Sequence, residues 1–302
     1  MTKQELTNMV AEILSQMHGD KMPMVKGSDY KTLVLETDRK PAQENGFVPD
    51  ITALDLRKLY LTENAADPEK FRKMKEKTPA RLGSGKAGAR YKTLTMLRFR
   101  ADHAAAQDAV FSEVDEEFAK HHDLLPVKTC CESKDEYLTR PDLGRRFDEP
   151  SAKAIKGVID TPPKVQLVVG DGLSSAAITA NAVDCLASIR DGLKLRGIDT
   201  GKAIFVKYCR VGAGDAIGDI TGCELVCMLV GERPGLVTDK SMSAYITYKP
   251  HTGVSESSRT VVSNIHEQGT PAVEAGAYVA ELIEKILQKQ VSGVGLHLGA
   301  GV

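Results

Sequence analysis

The chain has 302 residues, 42% apolar and 27% charged, a balance that excludes a wholly disordered, collagen-like or coiled-coil protein and suits one large or two modest domains. Lys and Arg number 40 against 41 Asp and Glu, a net charge of -1, so bulk charge signals neither nucleic acid nor an anionic membrane. Aromatics are only 5%, which leaves little for base stacking, and no apolar run approaches the roughly 20 residues of a membrane helix.

The N-terminus lacks the basic and apolar regions of a secretory signal. Thr2-Lys3-Gln4-Glu5 instead fits a capping box, and Leu6, Met9, Val10, Ile13, Leu14 and Met17 then share one helical face. This predicts an amphipathic helix over 2–17 within an N-terminal segment 1–19, closed by Gly19. Residues 20–50 read as a linker of Gly, Pro, Ser, Asp and Lys with scattered apolar residues. A helix on a linker must dock on its own domain, another chain or a membrane, and its mixed-charge polar face disfavours the membrane.

Residues 51–160 read as mainly helical, with helical patterns near 68–77, 93–108, 113–122 and 142–158. Arg81-Leu82-Gly83-Ser84-Gly85-Lys86-Ala87-Gly88 superficially suggests a phosphate loop. Ala80 stands where that motif needs its first glycine, and Ala87 replaces the hydroxyl that would hold magnesium, so a glycine-rich surface loop is preferred.

Residues 161–298 alternate strand and helix. Strands are predicted over 165–169, 203–210, 224–230 and 243–248, and helices over 173–195, 214–221 and from Thr270-Pro271 to about Gln290. The fold class is therefore α/β: a Rossmann-like, mostly parallel sheet with helices on both faces, preceded by a mainly helical region. In such sheets the ligand crevice lies beyond the carboxyl ends of the strands. Segments 170–175, 210–214 and 231–235 reach that edge, and the loop from Tyr248 to about His266 is a fourth candidate.

Gly170-Asp171-Gly172-Leu173-Ser174-Ser175 has the strand-to-helix setting of a dinucleotide fingerprint. Ser175 replaces its third glycine, and the acidic residue expected about 20 positions on is missing. A tight turn with Asp171 or Ser174 capping the helix is the simpler reading. Glu232 and Arg233 form either a surface ion pair or, through Glu232, an acceptor for a large polar ligand. Asn264-x-His266-x-x-Gly269 is similar to the Asp-x-His-x-x-Gly motif that places histidine on the cobalt of a cobalamin. Asparagine replaces the orienting aspartate, so His266 is read as a loop residue and not a metal ligand. The six cysteines form no zinc pattern and read as reduced thiols. There is no nucleophile elbow and no convincing nucleophile–base pair, so no catalytic residue is assigned. A cofactor binder whose chemistry is completed elsewhere fits this pattern.

Several ordered motifs carry a family resemblance: Tyr137-Leu138-Thr139-Arg140-Pro141-Asp142-Leu143-Gly144-Arg145-Arg146, Gly170-Asp171-Gly172-Leu173-Ser174, Gly231-Glu232-Arg233-Pro234-Gly235-Leu236, and Ser263-Asn264-Ile265-His266-x-x-Gly269-Thr270-Pro271-x-Val273-Glu274-Ala275. Between about Leu56 and Gly293 the chain resembles the small (light) subunit family of adenosylcobalamin-dependent ethanolamine ammonia-lyase. That resemblance implies a carbon–nitrogen lyase converting ethanolamine to acetaldehyde and ammonia. It implies adenosylcobalamin, base-on, held between this chain and a large subunit that carries the substrate, in a dodecamer of six plus six subunits. The region 51–160 would contact the large subunit, and 161–298 would be the cobalamin-binding domain. Val211, Glu232 and Val261 match cofactor-contacting positions; Arg210 and Asp171 are added from their place at strand ends. At Val261 relatives carry cysteine, so only apolar or backbone contact remains there. The resemblance also implies a bacterial cytoplasmic location, inside an ethanolamine-utilising microcompartment, with residues 2–17 reaching a shell or cargo partner. Two other readings stay open: a non-catalytic assembly or cargo adaptor of that compartment, and a dinucleotide-dependent oxidoreductase.

Overall fold

The computed structural model describes residues 50–298 apart from Pro79 and Glu116. The helix expected over 2–17 and the linker, all but Asp50, lie outside the described residues. The chain forms two compact units that meet in sequence at Ala105 and Ala106.

The first unit has a small core of Leu54, Leu56, Leu59, Leu61 and Leu94. Helix α1 (Pro68–Lys75) begins where Asp67 accepts from the Lys70 amide and Pro68 takes the first turn, where no backbone donor is needed. Its last residue, Lys75, is buried and donates to the carbonyls of Leu56 and Leu82, and burial pushes its ammonium down to about 8. The glycine-rich segment 81–88 leads into a two-strand ribbon, β1 (Lys86–Ala87) and β2 (Arg90–Tyr91), not into a helix. A phosphate loop therefore lacks the helix N-terminus it depends on. Gly83 and Gly85 hold φ of 72° and 73°, conformations that require glycine, and Arg81 pairs with Asp102 at 2.5 Å. Helix α2 (Thr93–Phe111) follows.

The second unit is built on a six-stranded sheet of order β3-β5-β4-β6-β7-β8. Its strands are β3 (Leu125–Lys128), β4 (Val165–Asp171), β5 (Ile204–Lys207), β6 (Leu225–Gly231), β7 (Met242–Tyr248) and β8 (Arg259–Ile265). The first four are parallel; β7 pairs antiparallel with β6, and β8 antiparallel with β7, so β7 alone runs against the others. Every residue of β4 and β6 is buried, as central strands covered on both faces must be. The edge strand β3 arises inside the stretch read as helical. It is short and carries Pro126, which an edge tolerates because one side of its backbone needs no ladder partner.

The helices of this unit are α3 (Phe118–His121), α4 (Lys134–Thr139), α5 (Glu149–Gly157), α6 (Ser175–Leu195), α7 (Ala213–Thr221), α8 (Ala272–Lys289) and the short α9 (Val294–Leu298). One face of the sheet packs Leu167, Val169 and Leu229 against Ile178, Cys185 and Ile189 of α6 and Val279, Ile283 and Ile286 of α8. The other packs Val168, Val206, Val226 and Met228 against Ile155 of α5 and Ala213 and Ile217 of α7. All six cysteines are free thiols.

Two expectations for the last strands are corrected. Residues 259–265, read as loop, form β8, an edge strand whose polar residues hide its period. Helix α8 starts one residue later than Thr270-Pro271 suggested. The Thr270 amide bonds to the Asn264 carbonyl instead of entering the helix, and Pro271 is the cap. The reversal after β6 follows from loop length: residues 232–241 are too few for a parallel crossover, so the chain returns antiparallel.

That reversal forces a close approach. A Cβ on Gly231 would lie 2.1 Å from the Ser174 carbonyl oxygen, whereas at Gly235, four residues on, it would meet open space. Gly231→Ala is expected to lower stability by about 1–3 kcal/mol, with Gly235→Ala near neutral. Thermal unfolding of the two variants checks this; equal midpoints would contradict the packing.

Candidate functional site

The carboxyl edge of the sheet divides into two halves. From β4 the chain leaves for α6 on one face, and from β5 for α7 on the other, which makes the β4–β5 gap the topological switch point. Protein already fills it. Tyr137 of α4 is 1% exposed and its hydroxyl donates to the Cys209 carbonyl at 3.1 Å. The Arg210 guanidinium lies 4.2 Å from the ring centroid and donates to the Tyr137 carbonyl at 2.7 Å. Lys134 donates to the Gly172 carbonyl at 3.0 Å.

Asp171, proposed from its place at the strand end, does not face this edge. It is 1% exposed, and its carboxylate accepts from the Ser175 hydroxyl at 2.6 Å and the Val114 amide at 3.1 Å. Burial pushes its carboxyl above the usual range, and Lys134 and the two hydrogen bonds pull it back only in part. The flanking glycines also serve internal packing: a Cβ on Gly170 would meet the Cys209 sulfur at 2.7 Å, and one on Gly172 would meet Val230 at 2.8 Å. Ser174 is the helix cap, accepting from the Ala177 amide. The dinucleotide-like motif is thus a packed turn, in which the Asp171 side chain is buried and hydrogen-bonded within the fold. Arg210, clamped on Tyr137, supports the same plug.

The other half of the edge is different. Glu232 leaves β6 at the rim and its carboxylate is held by three donors: the Ser241 hydroxyl at 2.7 Å, the Ser243 hydroxyl at 2.5 Å and the Asn264 amide at 3.0 Å. Burial alone pushes this carboxyl up. The Ser243 hydroxyl, the Asn264 amide and the Ser241 hydroxyl outweigh that and hold it below the usual glutamate range. Glu232 is thus an ionised, acceptor-only group in a fixed orientation. With three donors on about four lone-pair directions, it retains capacity for an amide or hydroxyl donor from outside.

Below Glu232 on the same face lie Ser243 and Tyr245, two residues apart on β7. Val261 of β8 sits opposite Tyr245 and is 45% exposed. Tyr245 is only partly buried and packs on the core under α7. Val211 precedes α7 and is half-buried. The face thus presents an apolar strip, Tyr245 and Val261, with the start of α7 on one flank and a single carboxylate at the rim.

His266 closes the loop behind this face. Its Nδ1 accepts from the Gln268 amide at 3.3 Å, which puts the ring proton on Nε2, 2.8 Å from the Asn264 side-chain oxygen. Both ring nitrogens are therefore engaged in the turn. Asn264 holds φ of 62°, and a Cβ on Gly269 would lie 2.3 Å from its carbonyl oxygen. The Asn-x-His-x-x-Gly spacing is that of a tight turn aiming the Asn264 amide at Glu232. Among the described residues, no group of three or more His, Cys, Asp or Glu is placed to hold a metal ion.

Of the five residues singled out, Val211, Glu232 and Val261 belong to the open half of the edge, while Asp171 and Arg210 belong to the plugged half. Ser241, Ser243 and Tyr245 were not foreseen, and Asn264 was noted only within the Asn-x-His-x-x-Gly motif. The alternation of Ser243 and Tyr245 with apolar neighbours on β7 was the available signal; the part played by the Asn264 amide was hidden while β8 went unrecognised.

A Rossmann-like sheet with a filled switch point, an apolar strip and a pre-oriented carboxylate on its other half places the chain in the α/β class. The sequence matches the ethanolamine ammonia-lyase light chain (EutC) family over residues 68–297. It is 56% identical to the ethanolamine ammonia-lyase small subunit of Clostridium perfringens, over 98% of this chain and all of that one. The same-named proteins of Clostridioides difficile and Listeria monocytogenes are each 54% identical, again over 98% of this chain and all of theirs. The chain belongs to the ethanolamine ammonia-lyase light chain family.

The Glu232 network makes a prediction in pH. Its folded carboxyl titrates below the unfolded value of about 4.3, so its stabilisation is present above that value and is lost as pH falls through the folded one. Glu232→Gln is expected to cost about 1–2 kcal/mol at pH 7, with the gap to the parent closing below about pH 4. Urea unfolding from pH 7 to 3 reads this, and a gap independent of pH contradicts it.

Proposed function

We propose that the open half of the carboxyl edge holds the lower side and nucleotide tail of adenosylcobalamin, shared with a large subunit, in the conversion of ethanolamine to acetaldehyde and ammonia. The observation that carries this reading is the fixed Glu232 carboxylate beside the apolar strip of Tyr245 and Val261. That pairing suits a flat heterocycle bearing amide and hydroxyl donors, because the strip removes apolar surface from water while the carboxylate fixes orientation. Val211 and Val261 make apolar contact from the two sides, and Glu232 accepts a hydrogen bond. Arg210 and Asp171 act behind them, by holding the strand ends. When bound, adenosylcobalamin supplies the radical through its cobalt–carbon bond, while this chain binds and orients. The base-on state fits a His266 whose ring nitrogens serve the turn.

The family name implies a large partner subunit. A six-plus-six assembly and a microcompartment location, reached through residues 2–17, belong to the same proposal. Among the described residues no helix is long and apolar enough to cross a membrane. The dinucleotide reading loses its support with the packing of the Gly170–Gly172 turn. An assembly or cargo adaptor remains the competing reading.

The test is co-expression with the cognate large subunit, with ethanolamine deamination measured on added adenosylcobalamin against each subunit alone. Activity is expected only from the pair. Glu232→Ala should then raise the cobalamin Kd, followed by absorbance, by about 10- to 100-fold, the loss of one charged hydrogen bond. A pair that assembles and binds cobalamin equally well with Glu232→Ala would favour the adaptor, and a large subunit fully active alone would overturn the proposal.

A further inference from the structure

The candidate face is bordered by two elements from distant parts of the chain, the start of α7 and β8, and a buried ion pair joins them. Arg259, the first residue of β8, is 7% exposed and donates to Asp215 of α7 through two nitrogens, Nη1 to Oδ1 at 2.7 Å and Nη2 to Oδ2 at 2.8 Å. The remaining donors are used as well: Nε donates to Glu256 at 2.7 Å, and Nη1 also reaches the Thr247 hydroxyl at 3.3 Å. Asp215 lies about one helical turn after Val211. Arg259 lies two residues before Val261, hence on the same face of β8 and about 7 Å along it.

We propose that the Arg259–Asp215 ion pair is a positioning clasp that sets the spacing between the start of α7 and β8, and so holds Val211 and Val261 at the separation the cofactor requires. This rests on the groove being the cobalamin site. A bidentate guanidinium–carboxylate pair suits the task because two parallel hydrogen bonds fix angle as well as distance. Apolar packing between the same elements would hold them together without fixing their register, and buried ion pairs contribute little net stability beyond such packing. The start of α7 also packs on β6 through Gly214 and on Arg145 through Gly212, and its contacts with the loop between β7 and β8 lie further along the helix. Asp219 accepts from the amide and hydroxyl of Thr252 at 3.0 and 2.5 Å, and Gly218 abuts Pro250 closely enough that a Cβ would fall 2.5 Å from its carbonyl oxygen. These seat the far end of α7. The clasp lies nearest the groove, so its loss shifts the Val211 end against Val261.

The experiment uses the complex with the large subunit. Arg259→Lys keeps the charge and loses the two-point geometry, while Asp215→Asn keeps the shape and loses the charge. Both are compared with Glu284→Gln, which weakens the Arg196–Glu284 pair on the opposite face of the sheet (2.9 Å). Hydroxocobalamin affinity is read by absorbance titration, alongside complex assembly, thermal midpoint and kcat at saturating adenosylcobalamin. Arg259→Lys is expected to assemble, to raise the cobalamin Kd by about tenfold, and to leave kcat at saturation unchanged, with no change in Kd for Glu284→Gln. If Glu232→Ala raises the Kd and both clasp variants leave it unchanged, the clasp proposal fails and the groove stands. If none of the three changes it, the groove reading fails and takes the clasp with it. If Arg259→Lys does not assemble, Asp215→Asn decides. Failure of both to assemble overturns the proposal, because the pair would then be general scaffold.

Discussion

Tyr137 occupies the place where doubly wound sheets hold their ligands, and the rest of the site depends on that. Its ring is sealed in by the Arg210 guanidinium, and its hydroxyl by the Cys209 carbonyl. A buried phenol must find such an acceptor, and the one it finds belongs to the segment leaving β5. With this crevice closed, Gly170 and Gly172 are free of any duty to a phosphate. They let β4 lie against Cys209 and Val230 without a side chain between. Any ligand at this edge is displaced toward β6, β7 and β8.

The short reversal after β6 then determines what a ligand meets there. An antiparallel return places the start of β7 and the end of β8 at the carboxyl edge, so hydroxyls from one and an amide from the other converge on Glu232. A carboxylate with no such donors would sit at the rim hydrated and mobile. Held by three, it is oriented before a partner arrives, and less ordering remains to oppose binding. The same donors explain why burial does not neutralise it.

How much of this was legible in the sequence depended on the range of the interaction. The capping of α1 by Asp67 and of α6 by Ser174 is local, and both could be read from residue order. So could β4 and β6, whose unbroken apolar runs mark central strands, and Glu232, which follows one of them. Strand β8 was not legible because an edge strand carries polar residues on its exposed positions, and Thr260-Val261-Val262-Ser263-Asn264 shows no clean period. Strand β3 was obscured by Pro126. The direction of the Asp171 side chain was not legible for a different reason: strand position fixes which edge a residue reaches, but not whether its side chain turns outward to solvent or inward to an amide such as that of Val114. The Arg259–Asp215 pair joins residues 44 apart, and no local pattern marks it.

On the proposed reading, Val261 marks where this chain's own fold leaves the cofactor face open. A valine on an edge strand, 45% exposed beside a half-buried tyrosine, is apolar surface left in water by this chain's own fold. Isolated apolar residues of this kind are common, but here the exposed side chain continues a strip that runs under a fixed carboxylate. The strip has a floor in β7 and β8 and one flank at the start of α7. A second large surface is needed to close it, and on the proposed reading that surface is the large subunit with the cofactor between. On the proposed reading, contact at Val261 needs shape and apolar area. Orientation of the cofactor, on the same reading, then rests on the fixed Glu232 carboxylate and on the distance between α7 and β8.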